Sequence, residues 1–290
     1  MDKSPSLLNR TKTLLRRYGI RTKKGLGQNF LIDSAVLKTI VTAAALSKDD
    51  TVIEVGPGLG ILTAALAERA AWVIAIELDD RLAVVLRQTL PYDNVVILNQ
   101  DVLGADSASL LRQNAPRFPP TLRSYKVVAN LPYYITSPVL RHFLEAPVRP
   151  QSMVVMVQRE VAEAIVAGAG QRSLLSIAVQ FYGRPEIVAV VPAAAFFPAP
   201  EVDSAVVKIS MYPHPPLADG DVAGFFKLVK AGFSAARKQI ANSLSHSLGL
   251  SKEDVAGTLV KASIEPTRRA ETLSVEEWVG LWLVYNEVVR

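Results

Sequence analysis

The sequence predicts an α/β protein in which a doubly wound, mostly parallel sheet precedes a small all-helical domain. Three observations carry that prediction. From residue 51 onward, short unbroken apolar runs alternate with amphipathic segments, the pattern of parallel strands covered on both faces by crossover helices. The first run ends in the glycine-rich turn Gly56-Pro-Gly-Leu-Gly60. Beyond the stiff segment Tyr212-Pro-His-Pro-Pro216 only helical periodicity remains.

Residues 1–24 precede this pattern. They hold Lys3, Arg10, Lys12, Arg16, Arg17, Arg21, Lys23 and Lys24 against Asp2, a charge of +7 where the whole chain carries +5. The basic excess is therefore an arm. It either docks on a polyanion or is a solvated tail. Residues 25–31 read as a turn before a helix. Thr51–Val55 is the first strand, and Ile61–Arg69 a helix with Leu62, Ala65 and Leu66 on one side. Trp72–Ile76 is the second strand, after which Asp79 and Asp80 cap a helix running to Leu90. Val95–Leu98, Lys126–Ala129 and Ser152–Val157 are the next strands, the last followed by a helix over Arg159–Val166. Glu186–Val191 and Val202–Met211 read as two further strands joined by Pro192–Pro200, an antiparallel edge to the sheet. The helical patterns Val222–Leu248, Lys252–Ala262 and Val275–Val289 complete the chain. The expected division is a basic arm over 1–24, a sheet domain over 25–211 and a helical domain over 217–290.

Composition narrows the function. Half of the 290 residues are apolar and a fifth charged, which allows a sizeable core and argues against wholesale disorder. The longest apolar run, Val188–Ala199, is broken by Pro192 and Pro198 and is too short to cross a bilayer. The basic start has no apolar stretch of signal-peptide type, so a cytoplasmic location and no membrane partner are expected. The chain has no cysteine, which excludes disulfides and thiolate metal sites. His142, His214 and His246 show no ligand spacing, so no metal is expected.

The chemistry gathers at strand ends. Glu54-Val-Gly56-Pro-Gly58-Leu-Gly60 closes the first strand and opens a helix. Glycines there let the backbone approach a ligand and take dihedrals closed to other residues. A nicotinamide-binding fingerprint needs its third glycine where Ile61 stands. Gly-x-Gly-x-Gly after a glutamate is instead the form of S-adenosylmethionine enzymes of the doubly wound class; the bland alternative is a tight turn. Glu77 ends the second strand, where a carboxylate accepts from both ribose hydroxyls of a nucleoside. Asp101, just past the third strand, is set to accept from the exocyclic amine of the cofactor's adenine. Leu78 and Val102, beside these carboxylates, belong to the same expected cofactor set.

The fourth strand ends in Asn130-Leu131-Pro132-Tyr133. An amine conjugated to an aromatic base has a delocalised lone pair and is a poor nucleophile. Acceptors around its hydrogens favour pyramidal nitrogen, and the Asn130 side-chain oxygen and the Leu131 carbonyl supply them. Pro132 fixes the turn and Tyr133 offers a face for stacking. A sulfonium is a good leaving group, so no strong general base is needed. Phe196, at the head of the rigid segment Phe196-Phe-Pro-Ala-Pro200, reads as the second wall of a base slot or as core filling.

These motifs together resemble the KsgA/RsmA family of ribosomal RNA small-subunit adenine dimethyltransferases. The resemblance covers nearly the whole chain through Gly27-Gln-Asn-Phe-Leu31, Glu54–Gly60, Asn130-Leu-Pro-Tyr-Tyr-Ile-Thr-Ser-Pro138, Phe196-x-Pro-x-Pro-x-Val-x-Ser204 and Arg269-Ala-Glu-x-Leu273. It implies a Rossmann-like class I methyltransferase fold, S-adenosyl-L-methionine as cofactor, and contacts to it from Gln28, Asn29 and Leu31. It also implies the substrate: two adjacent adenines in a hairpin near the 3′ end of small-subunit ribosomal RNA, each methylated twice, presented as RNA or as a pre-mature subunit to a monomeric enzyme. The Erm methyltransferases of large-subunit RNA share the Asn-x-Pro-Tyr motif, but Leu131, Tyr134 and Thr136-Ser-Pro138 favour the first family. A binding factor for ribosome assembly would show decay of these motifs, and they are intact. A small-molecule methyltransferase fits poorly with the basic arm and the helical appendix.

One stretch departs from the family pattern. Its Arg-Arg-Lys run after a Phe appears here as Phe233-Ser-Ala-Ala-Arg237-Lys238, with Ala236 in the first basic place. If residues 227–241 form one helix, Lys227, Lys230, Arg237 and Lys238 share a face for RNA phosphates, joining Arg16, Arg17, Lys23 and Lys24 of the arm; a plain solvated face is the alternative.

Overall fold

The computed structural model describes residues 6–23, 25, 27–114, 124–235 and 237–289. In chain order it forms α1 (Leu7–Arg17), β1 (Phe30–Leu31), α2 (Ser34–Ala44), β2 (Thr51–Val55), α3 (Ile61–Ala67), β3 (Trp72–Glu77), α4 (Asp80–Thr89), β4 (Val95–Asn99), α5 (Ser107–Asn114), β5 (Lys126–Asn130), α6 (Thr136–Leu144), β6 (Ser152–Gln158) and α7 (Arg159–Val166). Then come α8 (Leu174–Tyr182), β7 (Gly183–Val191), β8 (Phe196–Phe197), β9 (Ser204–Met211), α9 (Asp219–Phe233), α10 (Ile240–Leu248), α11 (Lys252–Lys261) and α12 (Val275–Val289). The chain divides into two compact units, Met1–Ala162 with Glu186–Met211 and Glu163–Pro185 with Tyr212–Arg290.

The first unit is built on a sheet ordered β4-β3-β2-β5-β6-β9-β7. β2 through β6 run parallel, with Ile53 opposite Ile74 and Val127 opposite Met153. β9 closes antiparallel on β6, Val207 facing Val155, which is the antiparallel edge expected from the sequence. Val52, Ile53, Val127, Val128 and Val154–Val157 are fully buried. Burial on both faces explains why these strands read as continuous β-branched runs rather than alternating ones. From β2 the chain winds out through β3 to β4, then crosses to the other side at β5. The crevice at the carboxyl ends of β2 and β5 is thus a topological switch point, where open α/β sheets bind ligands.

The basic arm contains a packed helix rather than a free tail. In α1, Leu14 and Leu15, followed by Tyr18 and Ile20, pack against Phe30, Leu59, Leu82 and Val85. Arg10, Arg16 and Arg17 flank that apolar face, and Lys12 lies over the Phe197 ring at 5.3 Å. Phe197 itself pairs with Phe30, and Phe196 with Leu31, in a two-stranded ribbon of β1 and β8.

The second unit is helical. α8 is opened by a capping box in which Ser173 and Ser176 each accept the other's backbone N–H, and its Phe181 stacks on Phe225 of α9 at 4.7 Å. Gly224 and Gly232 let α12 close on α9: an added Cβ would lie 2.1 Å from Trp282 and 2.3 Å from Trp278. The helical pattern expected over Val222–Leu248 is interrupted. Ser234 caps α9 by donating its hydroxyl to the Ala231 carbonyl, and Gln239 takes an extended conformation before α10. The Ile240 N–H donates to the Arg268 carbonyl, far away in sequence, at 2.7 Å. Lys227 and Lys230 therefore stand on α9, whereas Arg237 and Lys238 lie in the break, so the single basic helix face expected over 227–241 does not form.

Candidate active site

A cavity opens at the carboxyl ends of β2 to β5, lined by residues 27–31, 54–59, 76–78, 100–103 and 130–135, with Ile61, Leu62 and Leu82. Its floor is the turn after β2. Gly56, Gly58 and Gly60 all have left-handed φ, of 66°, 59° and 76°. A Cβ on Gly56 would reach to 3.4 Å from Pro132, so the turn and the segment after β5 approach through bare backbone. Gly60 is different. It caps α3, and a Cβ there would meet Leu86 at 2.9 Å. Its missing side chain serves helix packing, and Gly60 stands behind the cavity-lining Gly56 and Gly58 of the same turn.

Two carboxylates stand at the floor. Glu77 is 7% exposed; its oxygens accept from the N–H groups of Gly58 at 3.1 Å and Asp79 at 2.9 Å. Burial raises its pKa, with those two N–H groups pulling the other way. Glu54 is 1% exposed, and its Oε2 has no hydrogen-bond partner among the described residues. Burial pushes its pKa up to about 8, and the charge of Glu77 adds in the same direction. Asp101 is exposed at the rim and holds its turn by accepting from the Leu103 N–H at 2.9 Å.

The segment before β1 is strapped over the rim. Asp79 caps α4 through the N–H groups of Arg81 and Leu82. Its Oδ2 also accepts from Lys23 Nζ at 2.7 Å and Gln28 Nε2 at 3.2 Å, while Gln28 Oε1 accepts from the Lys23 N–H at 2.8 Å. Burial opposes the charge on Asp79, yet the Lys23 ammonium and the capping N–H groups hold its pKa below the usual range.

The turn after β5 faces this floor. The Leu131 N–H donates to the Met156 carbonyl at 3.1 Å, while its own carbonyl has no donor among the described residues. Asn130 Nδ2 donates to the Asn29 carbonyl at 3.4 Å, which leaves Oδ1 as the open acceptor. Tyr133 is half-buried with its hydroxyl 2.7 Å from Ser204 Oγ, and burial raises its pKa.

Of the predicted cofactor and catalytic residues, Gln28, Asn29, Leu31, Gly56, Gly58, Glu77, Leu78, Asp101, Val102, Asn130, Leu131, Pro132 and Tyr133 line this one cavity. Phe196 does not. It is 3% exposed and packs in the core behind its pairing partner Leu31 with Val128, Met156 and Val206. The two-residue ribbon turns alternate side chains to opposite faces, and Phe196 falls on the core face. Of the two readings of Phe196, core filling matches the position it takes here. Exposed Tyr134 and Leu103 line the rim instead. Neither was among the expected site residues, although the aromatic doublet beside the Asn-Leu-Pro turn was a signal for Tyr134.

Among the residues expected to meet RNA, Arg16 and Arg17 are exposed at the end of α1, and Lys23 is engaged by Asp79. Lys24 and Ala236 lie outside the described residues. In the helical unit Lys227 and Lys230 border a groove with Ser247, and Arg237 and Lys238 are exposed. Among the described residues no group of His, Asp and Glu is arranged to hold a metal ion, and no helix is long and apolar enough to cross a membrane.

Comparison with known proteins agrees with this geometry. The family model described as ribosomal RNA adenine dimethylase matches residues 19–286. A ribosomal RNA small subunit methyltransferase A of Dehalococcoides mccartyi is 52% identical, with 98% of this chain and 95% of that protein covered. The protein of the same name from Enterococcus faecalis is 45% identical, over 94% and 93%. Among solved structures, a dimethyladenosine transferase from Plasmodium falciparum superposes with a TM-score of 0.72 at 26% identity, covering 89% of this chain and 98% of that one. The 23S rRNA methyltransferase ErmE gives 0.69 at 29% identity, over 89% and 100%.

Proposed function

Because the chain belongs to the ribosomal RNA adenine dimethylase family, we infer that it dimethylates N6 of two adjacent adenines near the 3′ end of small-subunit ribosomal RNA. The observation that carries this reading is that the Asn130–Tyr133 turn opens on the same cavity as Glu77 and Asp101. The relatives named for the small subunit are 45% and 52% identical, whereas ErmE is 29% identical, which favours small-subunit RNA over large-subunit RNA.

The cavity suits S-adenosyl-L-methionine. Bare backbone at Gly56 and Gly58 leaves room against the floor, Glu77 is a buried acceptor for ribose hydroxyls, and Asp101 is a rim acceptor for an exocyclic amine. Gln28, Asn29, Leu31, Leu78 and Val102 complete the walls. When bound, the cofactor supplies a methyl group on a sulfonium. Asn130 Oδ1 and the Leu131 carbonyl accept the two hydrogens of the target amine and favour pyramidal nitrogen with a free lone pair. Tyr133 stacks on the base. Its hydroxyl stays protonated at neutral pH and takes no part in proton removal, and the proton of the methylated amine leaves to water after transfer. The chemistry lies in the first unit, Met1–Ala162 with Glu186–Met211, whereas residues 163–185, expected within the sheet domain, belong to the helical unit. Arg16 and Arg17 of the arm and the exposed cations of the domain over 217–290 hold RNA phosphates, so binding weakens steeply with salt. We assign the enzyme to the cytoplasm as a monomer.

The test is transfer of label from S-adenosylmethionine to under-methylated small subunits, followed by RNA digestion. Appearance of N6,N6-dimethyladenosine supports the reading; cofactor binding without transfer to small subunits overturns it.

A further inference from the structure

We propose that Ser204 is a positioning residue for methyl transfer: its buried hydroxyl fixes the plane of the Tyr133 ring on which the target base stacks. The inference rests on reading Tyr133 as the base platform and adds a residue on another strand that controls it.

The backbone of Tyr133 is well held. The Leu131 N–H donates to Met156 at 3.1 Å, and the Ile135 N–H donates to Pro132 at 3.1 Å. Those bonds fix the Cα and leave the two side-chain torsions of the ring. The restraint on these torsions comes from the far end of the ring, where the phenol oxygen meets Ser204 Oγ at 2.7 Å. Burial raises the phenol pKa, so the hydroxyl keeps its proton at neutral pH and the bond persists.

The anchor is rigid. Ser204 is 0% exposed and begins β9, facing Gln158 in the ladder with β6. Asp203 before it accepts from the Ala193 N–H through Oδ1 at 3.0 Å and from the Arg159 N–H through its carbonyl at 3.0 Å. Ala205, Val206 and Val207 after it are fully buried. Strand pairing here uses backbone alone, so an apolar side chain would serve the fold equally well. A hydroxyl in this apolar stretch needs a polar partner, and the partner it has is in the active site. Stacking depends on parallel planes, and a misplacement of about 1 Å can cost about 100-fold in rate. A hydrogen bond at the para position opposes tilting of the ring at its longest lever arm.

The experiment compares Ser204→Ala, Tyr133→Phe, the double variant and Tyr133→Ala in single-turnover methylation of under-methylated small subunits. Tyr133→Phe keeps the ring and removes the bond from the other side, so it tests the same contact without touching the sheet. Each single variant is expected to slow transfer about fivefold to tenfold, the worth of one buried hydrogen bond. The double variant should be no slower than either single one. KM for S-adenosylmethionine should stay unchanged. The ratio of N6-methyladenosine to N6,N6-dimethyladenosine should rise, because lost folded enzyme scales both steps alike and a tilted platform does not. Wild-type rate and product ratio in Ser204→Ala, with Tyr133→Ala inactive, overturn the role of Ser204 alone. Multiplying losses in the double variant overturn it too. Full activity in Tyr133→Ala overturns the platform reading on which it stands.

Discussion

Replacing Glu54 by glutamine should stabilise the cofactor-free protein increasingly as pH rises. Glu54 sits in β2, 1% exposed, with one carboxyl oxygen unpartnered among the described residues. Burial raises its pKa from 4.5 to about 8. The folded state therefore keeps a proton that the unfolded chain gives up above pH 4.5. Stability from this group is complete below pH 4.5 and is lost progressively as pH climbs to 8. Integrating proton uptake between those two values gives a loss of about 3 kcal/mol by pH 7. Glutamine has nearly the same shape and cannot ionise. Urea denaturation of both proteins at pH 5, 6, 7 and 8, without cofactor, measures the difference. The gap in favour of the variant should widen by about 2 to 3 kcal/mol between pH 5 and pH 7. Glu77, whose pKa burial also raises, is present in both proteins and largely cancels. A gap that does not change with pH would refute the reasoning, since it would mean that Glu54 is ionised in the fold or that water reaches it freely.

Asn130→Ala should lower methyl transfer by about 100-fold or more, the scale for removing one preorganised polar group from an active site, while isothermal titration with S-adenosylmethionine changes little. Lys23→Met frees Gln28 and Asp79 from their clamp; because the Lys23 side chain is 52% exposed, cofactor affinity should weaken only about threefold, as read by equilibrium dialysis. Gly232→Ala drives a methyl group to 2.3 Å from Trp278 and should destabilise the helical unit by about 1–3 kcal/mol. Gly220→Ala in the same helix meets nothing within 4 Å and should be neutral or slightly stabilising in the same melting experiment.

What the sequence showed and what it hid follow one physical division. The strand-end residues were legible because local pattern alone puts them there. An apolar run that ends at Gly56, Glu77, Asp101 or Asn130 must turn at the same edge of a parallel sheet, and those residues line one cavity. Choices of partner and of face were hidden because distant chain decides them. Gly60 belongs to the same motif as Gly56, yet Leu86 of α4 and Leu90 just past its end take its space. Phe196 read as a slot wall or as core filling, and the pairing with Leu31 that sets it in the core cluster was not legible locally. Lys23 looked free for phosphate until Asp79, 56 residues away, claimed it. The apolar spacing of α1 was masked by its surrounding charge, and the break before α10 depends on the Arg268 carbonyl. The hydroxyl of Ser204 belongs with this second group. In sequence it is one polar residue opening an apolar strand, and its link to Tyr133 exists only because β9 inserts beside β6, whose neighbour β5 carries the Asn130 turn. In this protein the groups that meet the reacting atoms are set by the ends of strands, while the groups that aim them are set by the order of strands.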